Sequence, residues 1–544
     1  VSECVDCNVT SLYQCNYRFD THTVKDCAAF ETLDFSEFKF DNLDLSAKKL
    51  FFGPHFVHKG VVYGHSSTNY ELMMRRQFAL RVEDRVYDDW LRGNQELVRL
   101  LPGFAEWFGI VKERVETLVP GDDIQTLLYE YVHRPHPKRL IRIRAYESIR
   151  DSGRLEDYGA YCTGVTYKLK IPEFGAPGKL PRVIGDFGPE GSILGGFILE
   201  YGKKAFVEPI LVNGLRLVFV PCPSTPALVQ VFRELVHGQE SCCYFFSDDS
   251  CFAFTLPCGR RVMLNMDISK CDGSVGDPIF EVARELLSSP GMENIVDAVI
   301  AQCKLPCTLR DPEYNKILTV YPLHHNLSSG TVLTTFLDNI ATSVIALSIH
   351  DLLRDLPAGS TDAEIEALIF TGASFAGFIV TSEICPTHHH LQFLKHSPCM
   401  AEDGLLYPVM NLGVALRALG QKDGTFSYKT FDEFSRKCEQ HNSGVVKGFV
   451  HMGNHSLHDA LKDRFDAPSS PIYKQHWTYE LRNHEPVHIP RIQDSELITR
   501  YTGNRYVTST QDFDDLISLI GFASLGDAIS CEASRNILDR DYGL

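Results

Sequence analysis

The chain has 544 residues, 44% of them hydrophobic, and a formal net charge of −17. This length holds roughly three or four domain-sized units, or one large enzyme with subdomains, and the composition is that of an ordinary globular protein with a large core. The acidic balance excludes non-specific wrapping of nucleic acid by the whole surface and leaves room for a local basic channel.

The N-terminus starts at Val1, as expected of a processed or truncated product, and lacks the basic-then-apolar pattern of a signal peptide. No apolar run reaches the length of a membrane span: Ile340 to Ile349 is too short and is interrupted by Thr and Ser. A soluble protein with no transmembrane segment is expected. The 17 cysteines are scattered and often lie in apolar runs (Cys242, Cys243, Cys251, Cys271), which fits free buried thiols in a reducing compartment better than a disulfide framework. Cys4-x-x-Cys7, with Cys15, His22 and Cys27 nearby, offers zinc-ligand types at a loose spacing, so Zn2+ is not expected there.

Residues 1 to 48 are Cys-rich and then Phe/Asp-rich, and read as an extension wrapped on the body. From about 70 to 150 helical periodicity dominates, divided by Pro102, Pro120, Pro135 and Pro137. Arg134 and the stretch Lys138 to Arg144 form a local basic concentration, read either as a solvated edge strand with alternating Arg or as a phosphate-tracking surface. Next, Tyr167-Lys168-Leu169-Lys170 and Lys179 to Gly185 flank a Gly/Pro loop. Such an arrangement presents several cations to one polyphosphate, or is a surface hairpin with snorkelling lysines.

The stretch from Cys242 to Asp272 is the most informative. Two apolar, aromatic-rich runs flank Ser247-Asp248-Asp249, the pattern of a hairpin with acids at its turn. Pro257-Cys258-Gly259 then reverses the chain into a third run that reaches Asp267. Asp249 and Asp267 are equally far from Cys258, so antiparallel pairing in that register brings them together at one end of the sheet. Convergent carboxylates at a buried sheet edge are unstable unless cations neutralise them, which points to a divalent-metal site for phosphoryl chemistry.

Asp277-Pro278 reads as a helix cap followed by proline at the first position, opening a helix through Leu287, and 288 to 325 as an insertion of mixed helix and loop. Leu327 to Asn339 is a Gly-hinged loop opening a long helix to Leu353; Thr335 and Asn339 share one helical face, and Asn339, inside an apolar stretch, needs a partner. Thr361-Asp362-Ala363-Glu364 starts a helix to about Ala376, followed by a short strand from Gly377 to Thr381. His388 to His390 lie side by side, where on a strand at most two would converge, so they are not read as a metal site. The remainder mixes short helices and His/Pro-rich loops, with an amphipathic stretch from Phe513 to Leu525.

In combination and order these segments resemble the viral RNA-dependent RNA polymerases. Lys168 to Arg182 is similar to motif F of that family, Asp267-x4-Asp272 to motif A, Ser329-Gly330 through Asn339 to motif B, the helix and strand ending at Thr381 to motif D, and Phe393-Leu394-Lys395 to motif E. The family usually places a Gly-Asp-Asp hairpin, motif C, between B and D. Here the only acid pair in a hairpin pattern is Asp248-Asp249, upstream of motif A, with Ser247 in place of the Gly. The order C-A-B-D-E resembles the permuted polymerases of permutotetraviruses and birnaviruses.

The resemblance implies an α+β right-hand polymerase (fingers, palm, thumb) with an antiparallel palm sheet packed on helices. It implies an N-terminal extension over 1–48, fingers over 49–240 with motif F about 165–204, a palm over 241–400 with a fingers insertion about 288–325, and thumb and C-terminal region over 401–544. Asp267, Asp248 and Asp249 would ligate Mg2+ (or Mn2+) for nucleotidyl transfer. Asp272 and Asn339 would meet the ribose hydroxyls, Ser329 and Gly330 would let the motif B loop move, and Thr335 would line the nucleotide site. Lys168, Lys170, Lys179 and Arg182 would clamp the triphosphate, and Phe393 and Lys395 would support the primer. With no motif D lysine between Gly377 and His390, one of His388 to His390 could act as general acid. The implied partners are template and nascent RNA, ribonucleoside triphosphates and other viral replication proteins, in replication complexes of the host cytoplasm; secretion is not expected. Two other readings stand beside this one: a catalytically inactive polymerase-like replication protein, and another metal-dependent phosphotransferase or nuclease.

Overall fold

The computed structural model describes residues 30–37, 49–56, 61–62, 77, 90–119, 123–169, 174–175, 182–221, 224–311, 316–322, 324–423, 429–448, 455–467, 492 and 495–542. The Cys4/Cys7 region, Lys170 and Lys179 lie outside these residues.

The strands are β1 (Phe30–Glu37), β2 (Lys49–Phe51), β3 (His55–Phe56), β4 (Val61–Val62), β5 (Val165–Leu169), β6 (Phe174–Gly175), β7 (Val183–Asp186), β8 (Ile210–Val212), β9 (Leu215–Phe219), β10 (Ser241–Phe246), β11 (Asp249–Thr255), β12 (Arg261–Ile268), β13 (Cys307–Asp311), β14 (Lys316–Pro322), β15 (Val380–Ile384), β16 (His396–Met400) and β17 (Leu406–Met410). The helices used below are α1 (Arg139–Asp151), α2 (Gly188–Gly202), α3 (Thr225–His237), α4 (Asp277–Leu287), α5 (Glu293–Gln302), α6 (Thr334–Leu353), α7 (Asp362–Phe375), α8 (Ser495–Tyr506) and α9 (Glu532–Tyr542). The protein is thus a mixed α+β chain with several sheets.

The six-stranded sheet at its centre has the order β15-β12-β11-β10-β9-β8. Four of its five pairings are antiparallel, but β10 runs parallel to β9, a departure from the all-antiparallel expectation. A parallel neighbour needs a crossover, and α3 supplies it between β9 and β10. Its N-terminus is set by Ser224, which accepts from Ala227 N, with Pro226 in the first turn.

Alternating side chains explain why β10 and β11 read as continuous apolar runs: both faces are covered. Cys243, Phe245, Phe252, Phe254, Leu264 and Met266 pack into the main core with the apolar residues of α6. Cys242, Tyr244, Cys251 and Ala253 pack on the other face with Leu228, Val231, Phe232 and Leu235 of α3 and with Leu391 and Phe393. Full burial of each such aromatic contributes on the order of 1.5–3 kcal/mol. By length and composition α6 is apolar enough to cross a membrane, which corrects the expectation that no run reaches that length, and 89% of the apolar window is buried inside the protein. Helix α7 begins as its sequence predicts, with a capping box between Thr361 and Glu364.

A second sheet has the order β1-β14-β13-β5-β7. The insertion 288–325 therefore contains strands β13 and β14 as well as helix α5, rather than helix and loop alone. The basic stretch from Arg139 is helical, in α1, which corrects the edge-strand reading; Arg142 lies over the Tyr131 ring at 4.4 Å and Arg134 pairs with Glu200. Asp277 is not the cap of α4: Gly276 is, and Asp277 instead accepts from His324 and His325 Nδ1, both at 2.8 Å. The described cysteines carry no disulfide, and most are buried.

Candidate active site

Strands β10 and β11 are joined by the two-residue turn Ser247-Asp248, with Phe246 opposite Asp249. Ser247 takes a left-handed φ of 59°, which suits the right-handed twist of a tight hairpin. The next turn, closed by Gly259 N to Leu256 O at 2.8 Å, returns the chain as β12. The register then sets Asp249 directly opposite Asp267, the pairing that symmetrical counting about Cys258 predicts. Directly opposed residues share a sheet face, so the two carboxylates lie on the face that carries Cys251 and Ala253, at the end of the sheet. Thr381 of β15 is the next residue along this row, opposite Asp267.

Asp267 is exposed, whereas Asp248, Asp249 and Asp272 are half-buried. Although Asp249 keeps part of its surface open, its carboxyl is pushed up to about 6, chiefly by burial; the charge of Lys395 and the Leu394 N–H pull it back, and the charges of Asp248 and Asp267 add to the rise. Leu394 N donates to Asp249 Oδ2 at 3.0 Å. Leu394 and Lys395 form their own tight turn, both at positive φ (50° and 62°), closed by Phe393 N to His396 O at 2.9 Å. Two non-glycine residues held left-handed are strained. The turn brings the Leu394 N–H and the charge of Lys395 to Asp249. Lys395 also lies 4.9 Å from the Tyr542 ring centroid. Phe393 is fully buried in the core behind the sheet.

Helix α6 packs on the other face of the sheet, and it and the loop before it reach the acid-bearing segments at Ser247 and Asp272. Ser329 Oγ donates to Asp272 Oδ2. The loop is seated on β7: Gly185 N donates to Ser329 O at 2.8 Å, and Gly330 has φ 111° with Gly185 O at 2.4 Å from where a Cβ would stand. Only glycine fits there. Asn339 is fully buried, and its Oδ1 accepts from Ser247 N at 3.2 Å, while its Nδ2 has no hydrogen-bond partner among the described residues. Thr335 is half-buried in the first turn of the helix. Lys168 is exposed and pairs with Asp186 at 3.1 Å, and Arg182, half-buried, precedes β7.

Asp338 escaped the sequence reading. It is buried, accepts from Ser247 Oγ and, at 3.2 Å, from Cys271 Sγ, and its carboxyl is held well above the carboxylate range by burial and by the charges of Asp248 and Asp272. The signal was available: a charged residue in an apolar helix needs a partner as much as Asn339 does.

Burial at the three histidines opposes the protonation that a general acid needs. His388 to His390 form a 3-10 turn rather than a strand, and burial lowers all three, His389 to about 3. His389 is fixed structurally, with Asn504 Nδ2 3.1 Å from its Nδ1.

Among the described residues no three His, Cys, Asp or Glu side chains form a ready-made cation cage. A magnesium site does not require one, since Mg2+ is typically held by one or two carboxylates with water and substrate phosphates. The Asp249–Asp267 pair, with Asp248 at the turn, fits that pattern, and mutual repulsion within it is what a cation would relieve.

No protein-family model matches the chain, and no curated protein matches it by sequence. Among solved structures, one described as the X-ray structure of the birnavirus VP1-VP3 complex is similar, with a TM-score of 0.40 and 10% sequence identity. The match covers 66% of this chain and 54% of that one, so the chain spans about half the length of the structure to which it is similar.

Proposed function

We propose that the chain is a template-directed RNA polymerase of the viral, permuted right-hand type. Fingers would occupy about 49–240, the palm 241–400 and the thumb and C-terminal region 401–544. The observation that carries the reading is the register that opposes Asp249 and Asp267 with Asp248 at the adjoining turn. Asp267, Asp248 and Asp249 would hold Mg2+ or Mn2+, which when bound supplies Lewis-acid activation of a primer hydroxyl and charge neutralisation at the leaving pyrophosphate.

The chain's own groups would do the rest. Asp272, oriented by Ser329, would accept from a ribose hydroxyl, and a site built to pair a 2′-OH disfavours its absence. Lys168 and Arg182, together with Lys170 and Lys179, would clamp the triphosphate, Lys168 exchanging its exposed partner Asp186 for phosphate. Lys395 would face the primer backbone. Template and nascent RNA and ribonucleoside triphosphates are the proposed ligands, and a host-cytoplasmic replication complex with other viral replication proteins the proposed setting.

The test is extension of a primed RNA template with ribonucleoside triphosphates and Mg2+. The wild-type chain should extend it, and Asp267→Asn and Asp248→Asn should each lower the rate by about a thousandfold or more, the scale of losing an electrostatic anchor of the transition state. Degradation of the RNA would support the nuclease reading, and binding of nucleotide without any turnover the inactive one.

A further inference from the structure

Helix α6 carries two kinds of polar residue. Ser343 Oγ donates to Asn339 O at 2.8 Å and so closes on its own helix. Asp338, Asn339 and Thr342 instead reach out, and all three reach Ser247. Its Oγ donates to Asp338 Oδ2, its N–H donates to Asn339 Oδ1 at 3.2 Å, and its carbonyl accepts from Thr342 Oγ1 at 3.1 Å. Every hydrogen-bonding group of the left-handed turn residue is thereby taken by one helix. The second oxygen of Asp338 accepts from Cys271 Sγ at 3.2 Å, on the segment between Asp267 and Asp272. Asp338 is 2% exposed, so water does not compete for these bonds.

We propose that Asp338 is a positioning residue that ties the Ser247-Asp248-Asp249 turn to the Asp267–Asp272 segment, fixing the separation of the two acid-bearing stretches and hence the strength with which they hold a divalent cation. The proposal rests on the reading that these acids form a cation site. Neighbouring carboxylates repel, and without a tie the turn, which is only two residues long, relaxes away from β12. A carboxyl group with one oxygen on each segment opposes that relaxation, and Asn339 and Thr342 hold the turn's backbone while it does so.

The experiment measures Mn2+ binding to the nucleotide-free protein by electron paramagnetic resonance, alongside the Mg2+ concentration for half-maximal RNA extension. Asp338→Ala and Ser247→Ala should each weaken Mn2+ binding by about tenfold, the scale of one hydrogen bond, and raise the Mg2+ requirement in parallel. Asp338→Asn, whose amide oxygen still accepts from Ser247 and whose NH2 can donate to Cys271 Sγ, should remain within about twofold of wild type. The Ser247→Ala/Asp338→Ala double variant should be little worse than either single one. Wild-type Mn2+ affinity in Ser247→Ala and Asp338→Ala, or an Asp338→Asn variant as impaired as the alanine, overturns the proposal. A wild-type chain that binds Mn2+ but does not extend RNA defeats the polymerase reading and leaves the positioning role supported or refuted by the binding series. Should Asp338→Ala fail to fold, Ser247→Ala carries the same comparison.

Discussion

Asp249 faces Asp267 across a single rung of the β11–β12 ladder and accepts the Leu394 backbone N–H at 3.0 Å. The acid pair is thus braced by a strained turn from a different part of the chain, and its protonation should report on that bracing. Asp249 rises from an ordinary 3.8 to about 6 in the folded protein. A raised native value means that the folded state binds the proton more tightly, so its stabilising contribution is full below about pH 3.8 and is lost as pH rises through about 6. In EDTA, the stability of wild type relative to Asp249→Asn should therefore fall between pH 4 and 6.5. Lys395 is the strongest influence pulling Asp249 down. Lys395→Asn, which keeps a residue tolerant of left-handed φ, should shift that fall to higher pH. Urea melts across this range measure both effects: a flat difference would refute the burial-driven rise at Asp249, and a fall left unmoved by Lys395→Asn would refute the influence of the lysine.

The loop before α6 should tolerate no side chain at its contact with β7. Gly330→Ala would place a Cβ 2.4 Å from Gly185 O at a φ of 111°, and Gly185→Ala would place one 2.4 Å from Ser328 Oγ. Each should cost about 1–3 kcal/mol in denaturant unfolding. The double variant should cost less than the sum, because one displacement of the loop relieves both clashes.

Arg505 and Asp541 form an ion pair, 2.7 Å long, with both side chains fully buried. Arg505 also donates to the carbonyl of His389 at 3.1 Å and to Gln392 Oε1 at 3.0 Å, the segment that leads into the Leu394-Lys395 turn. Arg505→Met leaves Asp541 charged and buried and should destabilise the protein by about 3–5 kcal/mol, whereas Arg505→Met/Asp541→Leu should recover much of that loss. Thermal melts of the single and double variants check this. A single variant as stable as wild type would remove Arg505 as an anchor.

Much of the site was legible because it is local. The hairpin acids, the reversal at Cys258, the register of Asp249 with Asp267, and the Thr361 capping box each depend on residues close in sequence. What was not legible depends on which distant surface meets which. The parallel β9–β10 pairing is decided by where α3 packs, and the turn geometry at Leu394-Lys395 by contacts with β11 and α9. The Arg134 to Arg144 stretch alternates as a strand would, but Ala145, Tyr146 and Ile149 face the core together at helical spacing, and burial of that face decided the outcome. Asn339, expected to need a partner, finds one in Ser247 through its Oδ1, and Asp338 beside it holds the second tie.

The order of the strands also has a consequence for assembly. Because β10, β11 and β12 follow one another through two tight turns, the opposition of Asp249 and Asp267 closes only a short stretch of chain. Loop-closure entropy for such a pairing is small, and the meander needs no distant segment to set its register. The helix that locks it, α6, comes later in the chain. The acids should therefore find each other before the fold that uses them is complete, with the ties to Ser247 and Cys271 added afterwards as a seal on a register already chosen.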